Sequence, residues 1–168
     1  MKCPFCGHDN ISGEDECAVC FENLSSLDGV VPKTKIEKIL MKDPLSRLLS
    51  DRKMVLVTPE TTVKEAIQKM NEAHVGCVLV KKNGDLVGIF TERDVLFKVA
   101  GGKKDFSTPV GQVMTPRPQI LSEDDSLAYA VNRMSVYGFR HIPIVRNGKP
   151  VAVISVRDVL GYLSKLFP

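Results

Sequence analysis

No apolar run in this chain approaches the roughly 18 residues that a membrane-spanning helix needs, and no hydrophobic segment follows Met1-Lys2-Cys3-Pro4. The pattern is neither that of an anchor nor that of a secretory signal, and the expected location is the cytoplasm. A phosphate-cradling G-x-x-x-x-G-K-[ST] stretch is missing, as are a G-x-G-x-x-G stretch and any visible set of nucleophile, base and orienting residue. These gaps point away from an enzyme. An excess of one charge is lacking too: 23 basic against 20 acidic side chains leave +3, too balanced for a chain whose main work is gripping phosphate backbone or anionic lipid. What is present is an ordinary core-forming composition, 43% hydrophobic and 26% charged over 168 residues, enough for about one domain and a small extra piece.

The even balance hides an asymmetry. Residues 1–28 hold one basic side chain, Lys2, against Asp9, Glu14, Asp15, Glu16, Glu22 and Asp28, a balance of −5. Four of the five cysteines share that acidic stretch, spaced C-x2-C-x10-C-x2-C as Cys3, Cys6, Cys17 and Cys20. Each C-x-x-C turn aims two thiolates at one point, and two facing turns complete the tetrahedral S4 cage that Zn2+ prefers; iron suits the same geometry. Disulfides would need an oxidising compartment, for which the chain shows no export pattern. About 28 residues bury too little to fold unaided, so metal binding and folding of this head should be one event, and four protein ligands make the metal structural. The head resembles the zinc ribbons that begin CPxCG, with one departure: Phe21 follows Cys20 where glycine is common.

Residues 29–53 read as a helical linker. Pro32 breaks it early; Ile36, Ile39 and Leu40, then Leu45, Leu48 and Leu49, recur at helical spacing. Two short helices are expected to meet at Asp43-Pro44, with Asp43 as cap and Pro44 in the first turn. Beyond the linker the chain repeats. Shifting Val57–Leu96 by 64 positions lays it on Leu121–Leu160 without a gap, with nine of forty residues identical, among them Asn83-Gly84/Asn147-Gly148 and Arg93-Asp94/Arg157-Asp158. Each copy predicts a short strand (Val55–Val57; Gln119–Leu121), a helix capped by Thr62 or Ser126, a buried strand (Cys77–Val80; His141–Val145), an Asn-Gly hairpin and a returning strand (Leu86–Phe90; Val151–Ile154). A second helix opens at Thr91 or Ser155. The fold class is therefore α/β, a β-α-β-β-α order run twice, in which each one-sided sheet needs a partner face and the other copy supplies it. The expected division is 1–28, 29–53, 54–100, a connecting segment with a helix over 101–118 around the exposed Gly101-Gly102-Lys103-Lys104, and 119–168.

Gap-free repeats in this order, with Gly88-Ile89-Phe90-Thr91-Glu92-Arg93-Asp94 and Arg140-His141-Ile142-Pro143-Ile144-Val145, resemble the cystathionine-β-synthase (CBS) domain, and the pair resembles the Bateman module, over roughly residues 43–166. The resemblance implies that AMP, ADP, ATP or S-adenosylmethionine lies in clefts between the repeats, and that the module forms a homodimer. Asp94 and Asp158, in the first turn of a helix, can accept both hydroxyls of a ribose diol. Thr91 and Ser155 offer a hydroxyl beside free backbone N–H groups, and Arg93, Arg157 and Arg140 can supply forked hydrogen bonds to phosphate. By resemblance, Thr58 and Ser122 near the first strands, and the second-strand residues Gly76, Cys77, Val78, Arg140, His141, Ile142 and Pro143, surround ribose and adenine. A Thr or Ser followed three residues later by Asp is also simply a good helix start. The copies differ, since Gly88 becomes Ala152 and Gly76-Cys77 becomes Arg140-His141, and unequal clefts are expected. Of the remaining candidates, His74 reads as a solvated helix end, His8 as a knuckle surface residue and Cys77 as a small core residue.

The leading reading is a regulatory protein that senses adenine nucleotides and uses the ribbon to contact a protein partner. A second reading places DNA or RNA against the ribbon or against Lys33, Lys35, Lys38, Lys42, Arg47, Arg52 and Lys53. Four thiolates with Zn2+ add −2 to an already acidic head, which argues against nucleic acid there. A third, an iron-holding electron carrier, is separated from the first by colour.

Overall fold

The computed structural model describes residues 2–3, 5–11, 14–24, 34–49, 54–101 and 104–166. Pro32, Lys33, Arg52, Lys53, Gly102 and Lys103, used in the sequence reading, lie outside these. Helix α1 (Lys35–Lys42) starts at a capping box in which Thr34 Oγ1 accepts from the Glu37 N–H and the Glu37 carboxylate accepts from the Thr34 N–H. A 3-10 turn (Leu45–Leu48) follows, so two short helices do meet at Asp43-Pro44. The roles there differ from expectation: Asp43 closes the C-terminus of α1, and Pro44 is itself the cap position of the turn. The physical reason is tertiary, because the Asp43 carboxylate accepts from the Tyr162 hydroxyl at 2.6 Å and its carbonyl accepts from the Leu127 N–H at 3.0 Å.

The first repeat runs β1 (Leu56–Val57), α2 (Val63–Ala73), β2 (Cys77–Lys82), β3 (Asp85–Thr91) and α3 (Glu92–Asp94), which passes into a π-helical turn (Val95–Val99) marked by Ala100 N–H donating to Val95 O. The segment read as carrying a helix holds a 3-10 turn (Val110–Gln112) and a short strand β4 (Thr115–Pro116). β1 pairs parallel to β2, and β2–β3–β4 are antiparallel, giving the order β1-β2-β3-β4. The strand alternation has two destinations. Val78, Val80 and Phe90 face α2, where they are wholly buried with Val63 and Ala66. Cys77, Leu79 and Ile89 face the other way and pack with Val153 of the second repeat. A side chain of that kind contributes about 1.5–3 kcal/mol when fully buried, so both faces are needed to hold the sheet.

The second repeat repeats the plan with β5 (Leu121–Ser122), α4 (Leu127–Tyr137), β6 (His141–Arg146), β7 (Lys149–Ser155) and α5 (Val156–Leu166), its sheet ordered β5-β6-β7. Both hairpins turn through left-handed Asn-Gly pairs, Asn83-Gly84 and Asn147-Gly148, as a two-residue turn matching strand twist requires. The long helices end alike as well: His74 and Gly138, 64 positions apart, are both left-handed C-caps with φ of 54° and 67°. Gly88 has its own reason. A Cβ there would run into Met114 Sδ, which precedes β4, whereas the three-stranded second sheet carries Ala152 at the matching place.

By contacts the chain divides into one compact unit of residues 1–50, 121–142 and 154–168 and another of 51–120 and 143–153. Among the described residues no helix is long and apolar enough to cross a membrane.

Candidate functional site

Two sets of chemically capable residues stand out. The first is the cysteine head. Lys2–Asp9 and Glu16–Asn23 each form an isolated antiparallel bridge, and the hydrogen bonds inside the two knuckles match at a spacing of 14 residues. Cys3 N–H donates to His8 O and Cys17 N–H to Glu22 O; Gly7 N–H donates to Cys3 O and Phe21 N–H to Cys17 O, the last two both at 2.8 Å. Gly7 (φ 75°) and Phe21 (φ 57°) share the left-handed conformation, so the second knuckle keeps the ribbon turn although it lacks the usual glycine. The four sulfurs lie within 4.8 Å of one another, with Cys3–Cys20 and Cys6–Cys17 each at 3.5 Å. A tetrahedral cation at about 2.3 Å from each sulfur sets edges of about 3.8 Å, so the cage fits such an ion. Cys3, Cys17 and Cys20 are buried.

The protein around the cage tunes it. Burial raises the Cys17 thiol, but N–H groups of Cys20 and Val19, with the Asn10 amide and Cys6, bring it down to about 6. Burial pushes Cys6 up to about 11 and raises Cys20 as well. Buried Asn10 is the supporting residue: its amide donates to His8 O and Cys17 Sγ, and its oxygen accepts from the Ala18 N–H at 2.9 Å. His8 is exposed and joins the head through its backbone.

The head does not stand apart from the rest of its unit. Ser126 Oγ donates to Phe5 O at 2.7 Å, Asn132 Nδ2 donates to Glu22 Oε2 at 2.7 Å, and Arg133 Nη2 donates to Val19 O. Arg133 is only 5% exposed, with its guanidinium over the rings of Tyr129 (4.9 Å) and Tyr137 (5.3 Å) and donating to both hydroxyls. A cavity of about 440 Å³ opens where the first knuckle, the end of α1 and the Asp124–Ser126 turn converge.

The second set is the pair of helix starts. Thr91 N–H and Oγ1 donate to Asp94 Oδ2 at 2.9 and 2.7 Å, and Ser155 N–H and Oγ donate to Asp158 Oδ2 at 2.8 and 2.6 Å. In turn the hydroxyls accept from the Asp94 and Asp158 N–H groups, so both elements are closed capping boxes. The neighbouring strand start is held the same way twice: Glu92 N–H donates to Gly76 O and Val156 N–H to Arg140 O. Gly76, Cys77, Thr91 and Asp94 are thus brought together in the first repeat, since Cys77 also faces Thr91 across the ladder. Arg140, Ser155 and Asp158 are brought together in the second. Arg93, Arg157 and Arg140 are exposed; Val78, Ile142 and Pro143 are buried, which leaves backbone groups as what they can offer. His141 and Ser122 are half-buried, and Ser122 opens the turn closed by Asp125 Oδ2 at 2.8 Å. Thr58 follows β1 directly. The β1–β2 register places it beyond Val57↔Val80, roughly 13 Å along β2 from Cys77 at about 3.3 Å per residue.

Sequence reasoning passed over Asn10, Lys98 and Arg133. Lys98 Nζ lies 2.6 Å from Asp94 Oδ1 and donates to Val113 O at 2.8 Å; its signal was the helical i, i+4 spacing from an acid. Arg133 was legible only as the centre of Tyr129-x3-Arg133-x3-Tyr137 on α4.

A tandem β-α-β-β-α architecture with paired helix-start carboxylates, preceded by a four-cysteine head, defines a module protein of the two-repeat type. The chain belongs to the CBS domain family, which matches it over residues 36–101 and 110–165. It is 34% identical over 113 residues to an uncharacterized 17.7 kDa protein of Acidianus ambivalens, covering 66% of this chain and 68% of that one. It is 31% identical over 117 residues to the CBS domain-containing protein CBSX3, mitochondrial, of Arabidopsis thaliana, spanning 66% of this chain and 57% of the relative. Among solved structures, a CBS domain protein from Pyrobaculum aerophilum complexed with AMP superposes with a TM-score of 0.64 at 26% identity, over 73% of this chain and 99% of that one.

Proposed function

We propose that this chain is a regulatory, non-catalytic cytoplasmic protein that binds an adenine nucleotide through its two repeats. AMP, ADP, ATP and S-adenosylmethionine are the candidate ligands. Asp94 and Asp158 would accept the ribose hydroxyls, Thr91 and Ser155 would present hydroxyl and N–H groups to phosphate, and Gly76–Val78 and Arg140–Pro143 would border the base. The observation that carries this reading is the matching cap pattern of Thr91–Asp94 and Ser155–Asp158, each beside a strand start fixed by the corresponding backbone bond. The likeness to an AMP-complexed relative supports the ligand class. Ligand engaged by both repeats would favour one arrangement of the module and, by linkage, alter its hold on a partner. The working division keeps the ribbon at 1–28, the linker at 29–53 and the repeats at 54–100 and 119–168, and the module is proposed to act as a homodimer.

Cys3, Cys6, Cys17 and Cys20 would hold a structural Zn2+, which supplies charge neutralisation for four thiolates and a fixed knuckle geometry.

A second reading follows from the closed capping boxes: both carboxylates already bond their own helix caps, and as caps alone they would bind nothing. Calorimetric titration with the four compounds, on the parent chain and on Asp94→Asn and Asp158→Asn, separates the two. Saturable binding weakened by either substitution supports the sensor; no binding at millimolar concentration leaves helix caps and sinks it.

A further inference from the structure

The ribbon's partner is written into this chain. Phe5 and Val19 occupy the same place in the two knuckles, 14 residues apart, and both tip carbonyls accept from one helix: Phe5 O from Ser126 and Val19 O from Arg133. The two donors are seven residues apart on the α4 side, which returns them to one helix face after two turns. Between them lie Tyr129, 8% exposed, and Asn132, which holds Glu22. The buried guanidinium is the centre of this surface. Desolvating it is offset by hydrogen bonds to Val19 O, Tyr129 and Tyr137 and by two ring faces, and the Val19 carbonyl is the part that the head supplies.

The spacing of those two carbonyls depends on the cage. The described part of the head offers only Leu24, Cys3, Cys17 and Cys20 as buried apolar residues, too little to hold two knuckles face to face. A cation bound by all four sulfurs would clamp the two knuckles face to face, so without it the separation of the two tips is free to change.

We propose that the face of α4 formed by Ser126, Tyr129, Asn132, Arg133 and Tyr137 is the docking surface for the metal-loaded ribbon, with Arg133 as the positioning residue that couples metal occupancy to the second repeat. This inference is independent of whether the repeats bind nucleotide. Loss of the metal frees the Ser122–Ser126 turn and the α4 face together; loading restores them. Because docking and metal binding are linked, each strengthens the other by the same factor.

The 168-residue chain allows a direct test, since Tyr129, Tyr137 and Tyr162 are its only tyrosines and it has no tryptophan. In Tyr162→Phe protein, tyrosine emission reports the Arg133 surface alone. Stripping the metal with a chelator and restoring Zn2+ is expected to raise and then lower acrylamide quenching of that emission. Amide exchange over 126–137 should be about tenfold faster without metal, while exchange over α2 (63–73) stays unchanged. Unchanged exchange over 126–137 overturns the proposal, and so does equal loss at α2, which would make the metal a support for the whole chain. Arg133→Ala carries the second arm: the thiolate absorption of bound Co2+ should keep its tetrahedral form, Zn2+ affinity should drop about tenfold, and the metal dependence of exchange at α4 should vanish. Retained metal dependence in Arg133→Ala would remove Arg133 from the coupling and overturn its assignment.

Discussion

Lys98 Nζ sits 2.6 Å from Asp94 Oδ1, and at the matching position of the second repeat Tyr162 sends its hydroxyl to Asp43 instead. The copies thus treat their helix-start carboxylates differently. In the first, one oxygen is held by Thr91 and the other by Lys98, itself braced on Val113 O. A ribose hydroxyl approaching Asp94 has to displace the ammonium. Lys98→Met is therefore expected to strengthen nucleotide binding that depends on Asp94 by roughly fivefold, the worth of about 1 kcal/mol for a partly exposed pair. Calorimetry on Lys98→Met with and without Asp94→Asn checks it; equal affinity in the parent and Lys98→Met would show that the pair does not compete.

Gly88→Ala tests the close approach of Met114. The added methyl meets a flexible thioether rather than backbone, so the expected loss is about 1–3 kcal/mol, read as a lowered urea midpoint with an unchanged slope. Ala152→Gly in the second sheet, where alanine already fits, should lose only a few tenths to 1 kcal/mol from backbone entropy.

His74 pays the left-handed penalty that Gly138 avoids. His74→Gly should stabilise the chain by about 1 kcal/mol, the saving in backbone strain less the added freedom of the unfolded glycine. Thermal melts of parent and variant at matched pH would show it, and a lower midpoint in the variant would contradict it.

Asp125 gives a pH signature. Burial raises its carboxyl above the ordinary carboxylate value, ahead of the lowering bond from Ser122 N–H and the raising charge of Asp124. The folded chain then holds this proton more tightly than the unfolded chain. Its contribution favours folding as pH falls below the folded value and turns unfavourable as pH rises through it. Asp125→Asn keeps an oxygen for the Ser122 N–H and removes the titration. Relative to the parent, the variant should gain stability as pH rises above the ordinary carboxylate range, and a difference that is flat with pH there would contradict the assignment. Glu60, Glu65 and Asp105 titrate with the opposite sign, their carboxyls being lowered, and they cancel in the comparison.

Most of the repeat architecture was legible because its signals are local. Thr62 and Ser126 are the caps they read as, Asn83-Gly84 and Asn147-Gly148 make the turns, and Val78 and Val80 alternate with Cys77 and Leu79 as period two demands. The four cysteines were legible from spacing alone. What escaped depends on partners far away in sequence. Asp43 read as a helix start because the hydroxyl of Tyr162 cannot be seen from its neighbours, and β4 read as part of a helical connection because two residues carry no period. Arg133 drew no reading from the sequence; its burial rests on carbonyls and rings that only the folded chain assembles. Thr58 was named by resemblance to the family, and its register beyond Val57↔Val80 is set by strand pairing that its neighbours in sequence do not show.

The bond from Ser126 to Phe5 spans 121 residues. During synthesis the knuckles leave the ribosome first and the helix that receives them emerges more than a hundred residues later, an interval of about 5–25 s at about 5–20 residues per second. Throughout that interval the four cysteines have no α4 face to dock on, so a metal that fills the cage would reach the newborn head before its own second repeat does.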